Sequence, residues 1–119
     1  MALKGKEKFP KTARLRKRPE FLSLSRAGKK VHSANFVVIS RKNDMSESRL
    51  GVTVSGKVGN SVVRNRIKRL VRELFRRHRN EIRGTADVLV IARPSAAKLS
   101  AHLVRNELGK VLIDPRSGR

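Results

Sequence analysis

The segment Asn60-Ser61-Val62-Val63-Arg64-Asn65-Arg66-Ile67-Lys68-Arg69-Leu70-Val71-Arg72 interleaves apolar and basic residues at helical spacing and contains no carboxylate. Its chemistry is recognition of negative charge, because a guanidinium fork pairs bidentately with phosphate and stacks on bases. At 100° per residue, Val63, Ile67, Leu70, Val71, Leu74 and Phe75 fall within about 140° of one another, a wedge wide enough to seat a helix on a sheet. Asn65, Lys68, Arg69, Arg72, Arg76 and Arg79 fall opposite, with Arg66 and Arg77 at one edge and Arg64 at the other. Like charges at i, i+4, such as Lys68/Arg72 and Arg72/Arg76, destabilise an isolated helix by a few tenths of a kcal/mol per pair. Only Glu73, expected to meet Arg69 and Arg77, relieves this. A helix selected for stability alone would interleave glutamates here, so the face is read as one built for nucleic acid.

Bond-breaking chemistry finds little support elsewhere. The three histidines, His32, His78 and His102, sit in separate elements without metal-ligand spacing. The chain has no cysteine, which excludes thiolate nucleophiles and Cys-based zinc sites. No carboxylates are paired for general acid–base work or for two metals. Asp87, at the start of a strand, is expected to pair with an arginine of the neighbouring helix. The sequence therefore predicts no catalytic residue and no metal site of its own.

Charge frames the same conclusion. Thirty Lys plus Arg against nine Asp plus Glu give 119 residues a formal charge of +21. Self-repulsion at that density weakens the compact state, so a polyanionic partner is expected to stabilise it. Residues 1–30 hold eleven basic and two acidic side chains, residues 61–79 eight and one, and residues 31–56 only three and two. The charge is thus concentrated in a leading arm and one internal segment. No apolar run approaches the roughly 20 residues needed to span a bilayer, and no apolar stretch follows the basic N-terminus as in a secretory signal. A cytoplasmic protein without membrane contact is expected.

The elements that must position the basic segment can be read in order. Residues 1–13 lack an apolar period and are expected to form a disordered basic arm. Residues 14–113 form a single domain, and residues 114–119 a frayed tail. Pro19 suits the first turn of a helix that buries Phe21, Leu22 and Leu24 and ends at Gly28. Asn35–Arg41 and Arg49–Ser55 read as strands joined by a hairpin loop over 42–48. Asn60 or Ser61 caps the basic helix, which runs to about Arg79, and Gly84 closes the connection after it. Thr85–Arg93 is a nearly continuous apolar strand, expected to be central and covered on both sides. Ser100 caps a last helix to about Leu112, with Leu103, Val104, Leu108, Val111 and Leu112 facing inward. The order αββαβα makes an α+β fold, an α/β sandwich with a small central sheet and about three helices.

The residues also carry a family resemblance. R-N-R-I-K-R-L-V-R at Arg64–Arg72, preceded by G-K-V-G-N at Gly56–Asn60, resembles the signature of the protein component of bacterial ribonuclease P. R-L-R-K-R-P-E-F at Arg14–Phe21, R-L-G-V-T-V-S at Arg49–Ser55 and V-L-V-I-A-R-P at Val88–Pro94 match it in order and spacing, so the resemblance covers roughly residues 14–112. It implies a mixed sheet whose two parallel strands are linked around the motif helix by a left-handed crossover, against the usual right-handed rule. It implies a protein that assists a catalytic RNA subunit, with Mg²⁺ bound by that RNA and no cofactor on the protein, in hydrolytic removal of the 5′ leader from precursor tRNA. The partners so implied are the RNA subunit, at one protein copy per RNA, and precursor tRNA. Arg64, Asn65, Arg66, Lys68, Arg69 and Arg72 would contact the RNA subunit, and Lys57 joins them in the loop before the helix, where backbone amides attract phosphate. A cleft between the first helix and the sheet would hold the leader, with Arg14, Phe21 and Phe36 as its candidates. Here the chain departs from the family: Ser25 and Ile39 stand where aromatic residues are expected, and Ser61 replaces a small apolar residue. Two competing readings are a ribosomal or RNA-chaperone protein without a part in cleavage, and a DNA-binding module. The latter lacks a second helix at helix-turn-helix spacing.

Overall fold

Helix α1, Arg18–Ala27, carries Pro19 in its first turn, where a missing N–H costs nothing. The computed structural model describes residues 18–43, 47–78 and 85–113, the side chains of 18–22 and 113 excepted. The expected arm over 1–13, the arginines at 14 and 79, Gly84, the tail over 114–119 and the side chains of Phe21 and Leu22 lie outside the described residues. Gly28 ends α1, donating its N–H to the Leu24 carbonyl at 2.7 Å. A Cβ there would lie 2.5 Å from Ile39 Cγ2 and 2.7 Å from the Leu24 oxygen. Only glycine lets the helix end approach the sheet so closely.

A strand that the sequence reading did not contain follows at once. Strand β1, Lys29–His32, has the exposure pattern of an edge, with only Val31 buried. Its lysines face solvent and blunt the open edge against pairing with other chains. It pairs antiparallel with β2, Phe36–Lys42. Strand β3 spans Arg49–Thr53, helix α2 Ser61–His78, strand β4 Ala86–Ala92 and helix α3 Ala101–Ile113, with a 3₁₀ turn at Pro94–Lys98 between the last two. The sheet order is β1-β2-β4-β3. β4 is antiparallel to β2 and parallel to β3.

This order corrects the expected hairpin over 42–48. β2 and β3 are not neighbours, because β4 inserts between them, and the true hairpin is β1–β2. The apolar run of β4 explains the insertion: five of its seven positions are buried, on both faces, leaving no solvated side to place at an edge. Because β3 and β4 are parallel, α2 must carry the chain back across the sheet.

Strand alternation sorts the core into two layers. Phe36, Val38, Leu50, Val88 and Val90 face α2 and α3, where they meet Ile67, Val71, Phe75, Val104 and Leu108. Ile39 and Leu89 face α1 and meet Leu24, with Val37 and Ile91 half-buried beside them. α2 is thus fixed by its apolar stripe on the better-packed layer. The registers Phe36↔Ala92 and Thr53↔Ile91 put the start of β2, the end of β4 and the exit toward α2 at one end of the sheet.

At the other end, Asp87 corrects a second expectation. Its partner is Arg49 of the adjacent strand rather than a helix arginine: Arg49 Nε and Nη2 donate at 2.9 and 2.7 Å, and Asn43 Nδ2 donates at 2.8 Å. Asp87 and Arg49 are opposed in the parallel register, so a helix cannot reach the carboxylate first.

Candidate nucleic-acid interface

The basic segment forms α2, and its N-terminus is built as the sequence predicts. Asn60 Oδ1 accepts the Val63 N–H at 3.0 Å, and the Asn60 carbonyl accepts the Arg64 N–H at 2.9 Å. This cap satisfies one of the orphan donors of the first turn. No acidic residue occupies that turn, so the positive end of the helix dipole adds to the arginine field instead of being neutralised. Ile67, Val71, Leu74 and Phe75 are buried, and the remaining faces carry the charge.

The expected RNA-facing residues separate into two kinds. Arg64 folds back on the helix entrance, with Nε donating to the Gly59 carbonyl at 3.1 Å and Nη2 to Ser61 Oγ at 3.3 Å. Arg66 reaches across to the segment before α3, where Nη2 donates to the Leu99 carbonyl at 2.7 Å. Both are half-buried and held in place, yet each keeps unused donors of its five. Asn65, Arg69 and Lys57 are exposed and Lys68 and Arg72 half-exposed. These seven residues lie on α2 and the loop immediately before it.

Glu73 is arranged differently from expectation. It meets Arg77 at 3.9 Å and Arg105 of α3 at 3.4 Å, which leaves Arg69 to solvent. Val62, 76 % exposed, stands on this same charged side of the helix.

The leader-cleft candidates fare unequally. Phe36 is excluded: it is 0 % exposed and faces α2 and α3, on the opposite side of the sheet from α1. Alternation within β2 dictates this, since Val37 and Ile39 are the residues that point toward α1. Arg14 and the side chain of Phe21 lie outside the described residues. Ser25 is half-exposed on α1, and Ile39 is buried in the cluster with Leu24 and Leu89. The α1 face of the sheet is therefore aliphatic.

One polar cluster has no counterpart in the sequence reading. Glu107 of α3 accepts from Ser33 Oγ, from the Asn35 N–H at 2.7 Å and from Asn35 Nδ2 at 2.7 Å. Burial pushes its carboxyl up, but these donors and the nearby Arg93 charge outweigh burial and hold it below the usual range. The same balance holds for Asp87, where burial is outweighed by the bonds and charge of Arg49, the bond from Asn43 and the charge of Arg41. The clasp joins positions 72 and 74 residues apart, a separation that no local pattern announces.

The comparisons agree with this geometry. A sequence model of the family described as Ribonuclease P matches residues 9–115. The ribonuclease P protein component of Desulforapulum autotrophicum is 47 % identical over 107 residues, covering 90 % of this chain and 92 % of the relative. The solved structure of the Staphylococcus aureus RNase P protein superposes with a TM-score of 0.80 at 35 % identity, covering 90 % of this chain and 98 % of that one. The RNase P protein of Thermotoga maritima superposes with a TM-score of 0.77 at 39 % identity, covering 84 % and 94 %. The chain belongs to the ribonuclease P protein component family.

Proposed function

We propose that this chain, as the protein subunit of ribonuclease P, presents α2 to the RNA subunit and thereby promotes removal of the 5′ leader from precursor tRNA. The observation that carries this reading is the basic surface of α2: Asn65, Lys68 and Arg69 point outward while Arg64 and Arg66 are braced on backbone carbonyls. Each phosphate neutralised there releases condensed counterions, so the interface favours assembly and lowers the charge that Mg²⁺ must otherwise screen. No cluster of carboxylates and histidines among the described residues is placed to hold a metal ion. Among the described residues Asp87 is engaged by Arg49 and Asn43, and Glu107 by Ser33 and Asn35. In this proposal the Mg²⁺ of the reaction is bound by the RNA, which supplies the catalysis.

In this proposal one protein copy serves each RNA, in the cytoplasm where precursor tRNA is made. The leader lies on the α1 side of the sheet, against Val37 and Ile91 rather than Phe36. No described helix is long and apolar enough to cross a membrane. The ribosomal and DNA-binding alternatives lose their footing once the family is assigned.

Reconstitution tests the reading. Precursor tRNA cleavage by the cognate RNA subunit at low Mg²⁺ should require this protein, and the protein alone should cleave nothing. If the Mg²⁺ requirement and the response to leader length stay the same with and without the protein, the proposal fails.

A further inference from the structure

We propose that the groove between α3 and the β1–β2 turn receives an unpaired nucleobase of the RNA subunit, a second contact beside the α2 face; it rests on the function proposed above. The groove has a volume of about 600 Å³, within the range of sites that enclose small planar ligands. Val31, Leu99, Leu103 and Val111 supply apolar lining, and His32 and Asn106 supply polar groups beside them.

Three observations favour a base of that RNA as the occupant. The first is continuity: Leu99 lines the groove, and its carbonyl is the acceptor for Arg66 at 2.7 Å. Leu99 thus links the groove to the Arg66 edge of α2. The second is charge. Lys110 stands among the lining residues, and Arg93 Nη2 lies 3.1 Å from His32 Nδ1. The one carboxylate of the lining, Glu107, is already bonded to Ser33 and Asn35. The surroundings thus suit a polyanion. The third is rigidity, because the same Glu107 bonds pin the turn to α3 and leave the wall preformed, which lowers the cost of binding.

The chemistry of the lining selects a base over a phosphate. Leu103 is 49 % exposed, leaving apolar surface uncovered at the groove. Asn106 offers both a donor and an acceptor, the pattern that pairs with a base edge. When Nδ1 of His32 accepts from Arg93, the neutral ring carries its proton on Nε2 and adds one donor. Phe36 and Phe75 are both 0 % exposed, so neither can serve as a stacking platform. A pocket of aliphatic walls replaces one.

The test uses the full chain and the cognate RNA subunit. Leu103→Ala and Asn106→Ala should each weaken RNA-subunit binding about five- to tenfold, at the low end of the range for losing one base contact. The salt dependence should not change, since no phosphate contact is lost. Thermal melting should stay at the parent value for both. Arg69→Ala serves as the control, weakening binding and lowering the salt slope by about one. The absence of native cysteine lets Leu103→Cys carry a single photo-crosslinker, expected to attach to one unpaired nucleotide of the RNA subunit. Unchanged affinity in both alanine variants, an altered salt slope, or a cross-link to precursor tRNA or to protein overturns the inference. If the parent chain itself does not bind the RNA subunit, the function proposed above fails instead.

Discussion

Replacing Asp87 by alanine tests the electrostatic joint of the sheet. Asp87 is 4 % exposed, and the Arg49 side chain that it holds is 18 % exposed. Removing the carboxylate deletes two charge-assisted hydrogen bonds to Arg49 and one to Asn43, and takes the counter-charge from a guanidinium between two parallel strands. Breaking one partner of a buried ion pair costs about 3–5 kcal/mol. Arg49 belongs to an edge strand and can draw in some water, so about 3 kcal/mol is expected. At about 4 °C per kcal/mol for a domain of this size, the melting temperature should fall by about 12 °C. Arg49→Met should cost less than Asp87→Ala, since the orphaned carboxylate can take up a proton. The double variant Arg49→Met/Asp87→Leu should recover at least half of the loss, because neither charge is then left alone. The pH dependence has a definite sign. The folded carboxyl sits below its ordinary value, so its contribution is complete above the unfolded value of about 3.9 and disappears as pH falls through the lower folded one. Urea titrations followed by far-UV circular dichroism at pH 7 and pH 3 measure all of this. Asp87→Ala within 1 kcal/mol of the parent at pH 7, or a coupling energy below about 0.5 kcal/mol in the double-mutant cycle, refutes the assignment.

The α2 arginines should respond unequally to a charge-conserving change. Arg66→Lys should weaken RNA-subunit binding several-fold more than Arg69→Lys, because an ammonium cannot brace on the Leu99 carbonyl while keeping a planar fork for phosphate. Equal losses in filter-binding titrations would remove the distinction. Phe36→Ala should destabilise the chain by about 3–5 kcal/mol through the cavity that it leaves. Its melting temperature and not its leader affinity should change at temperatures where it remains folded, and a selective loss of leader binding would restore Phe36 to the cleft.

Much of the fold was legible because its signals are local. The apolar stripe of α2, the caps at Asn60 and Ser100, and the double-sided burial of β4 follow from residues within a few positions of one another. Leu103 N–H donates to Ser100 Oγ at 3.2 Å, as the capping pattern requires. What escaped is non-local. β1 is only four residues long and carries two lysines and a histidine, so its alternation is too brief to register. The pairing of β2 with β4 depends on which strand can tolerate two covered faces, a competition that reading β2 and β3 as neighbours cannot resolve. Phe36 was assigned by its aromatic ring, while the side of the sheet it occupies is fixed by the register of β2 against β4. At the site, the outward set on α2 was visible by projection alone. The bracing of Arg66 was not, since its acceptor lies 33 residues away.

The placement of the few carboxylates explains how so cationic a chain stays folded without weakening its binding face. Asp87 joins β4 to β3, Glu107 joins α3 to the β1–β2 turn, and Glu73 joins α2 to α3. Each neutralises positive charge at a seam between elements, where attraction also resists separation. Glu73 alone of these three lies on α2, and its pairing with Arg77 and Arg105 draws it toward α3, away from the face of Lys68 and Arg72, whose field attracts phosphate. Mutual repulsion therefore remains on that face in the free protein. An RNA that neutralises it binds the folded state more tightly than the unfolded one, so the difference in binding free energy adds to stability by linkage. The destabilising run of like charges along α2 is thus relieved by the partner, and the strength of the fold and the affinity for RNA depend on the same side chains.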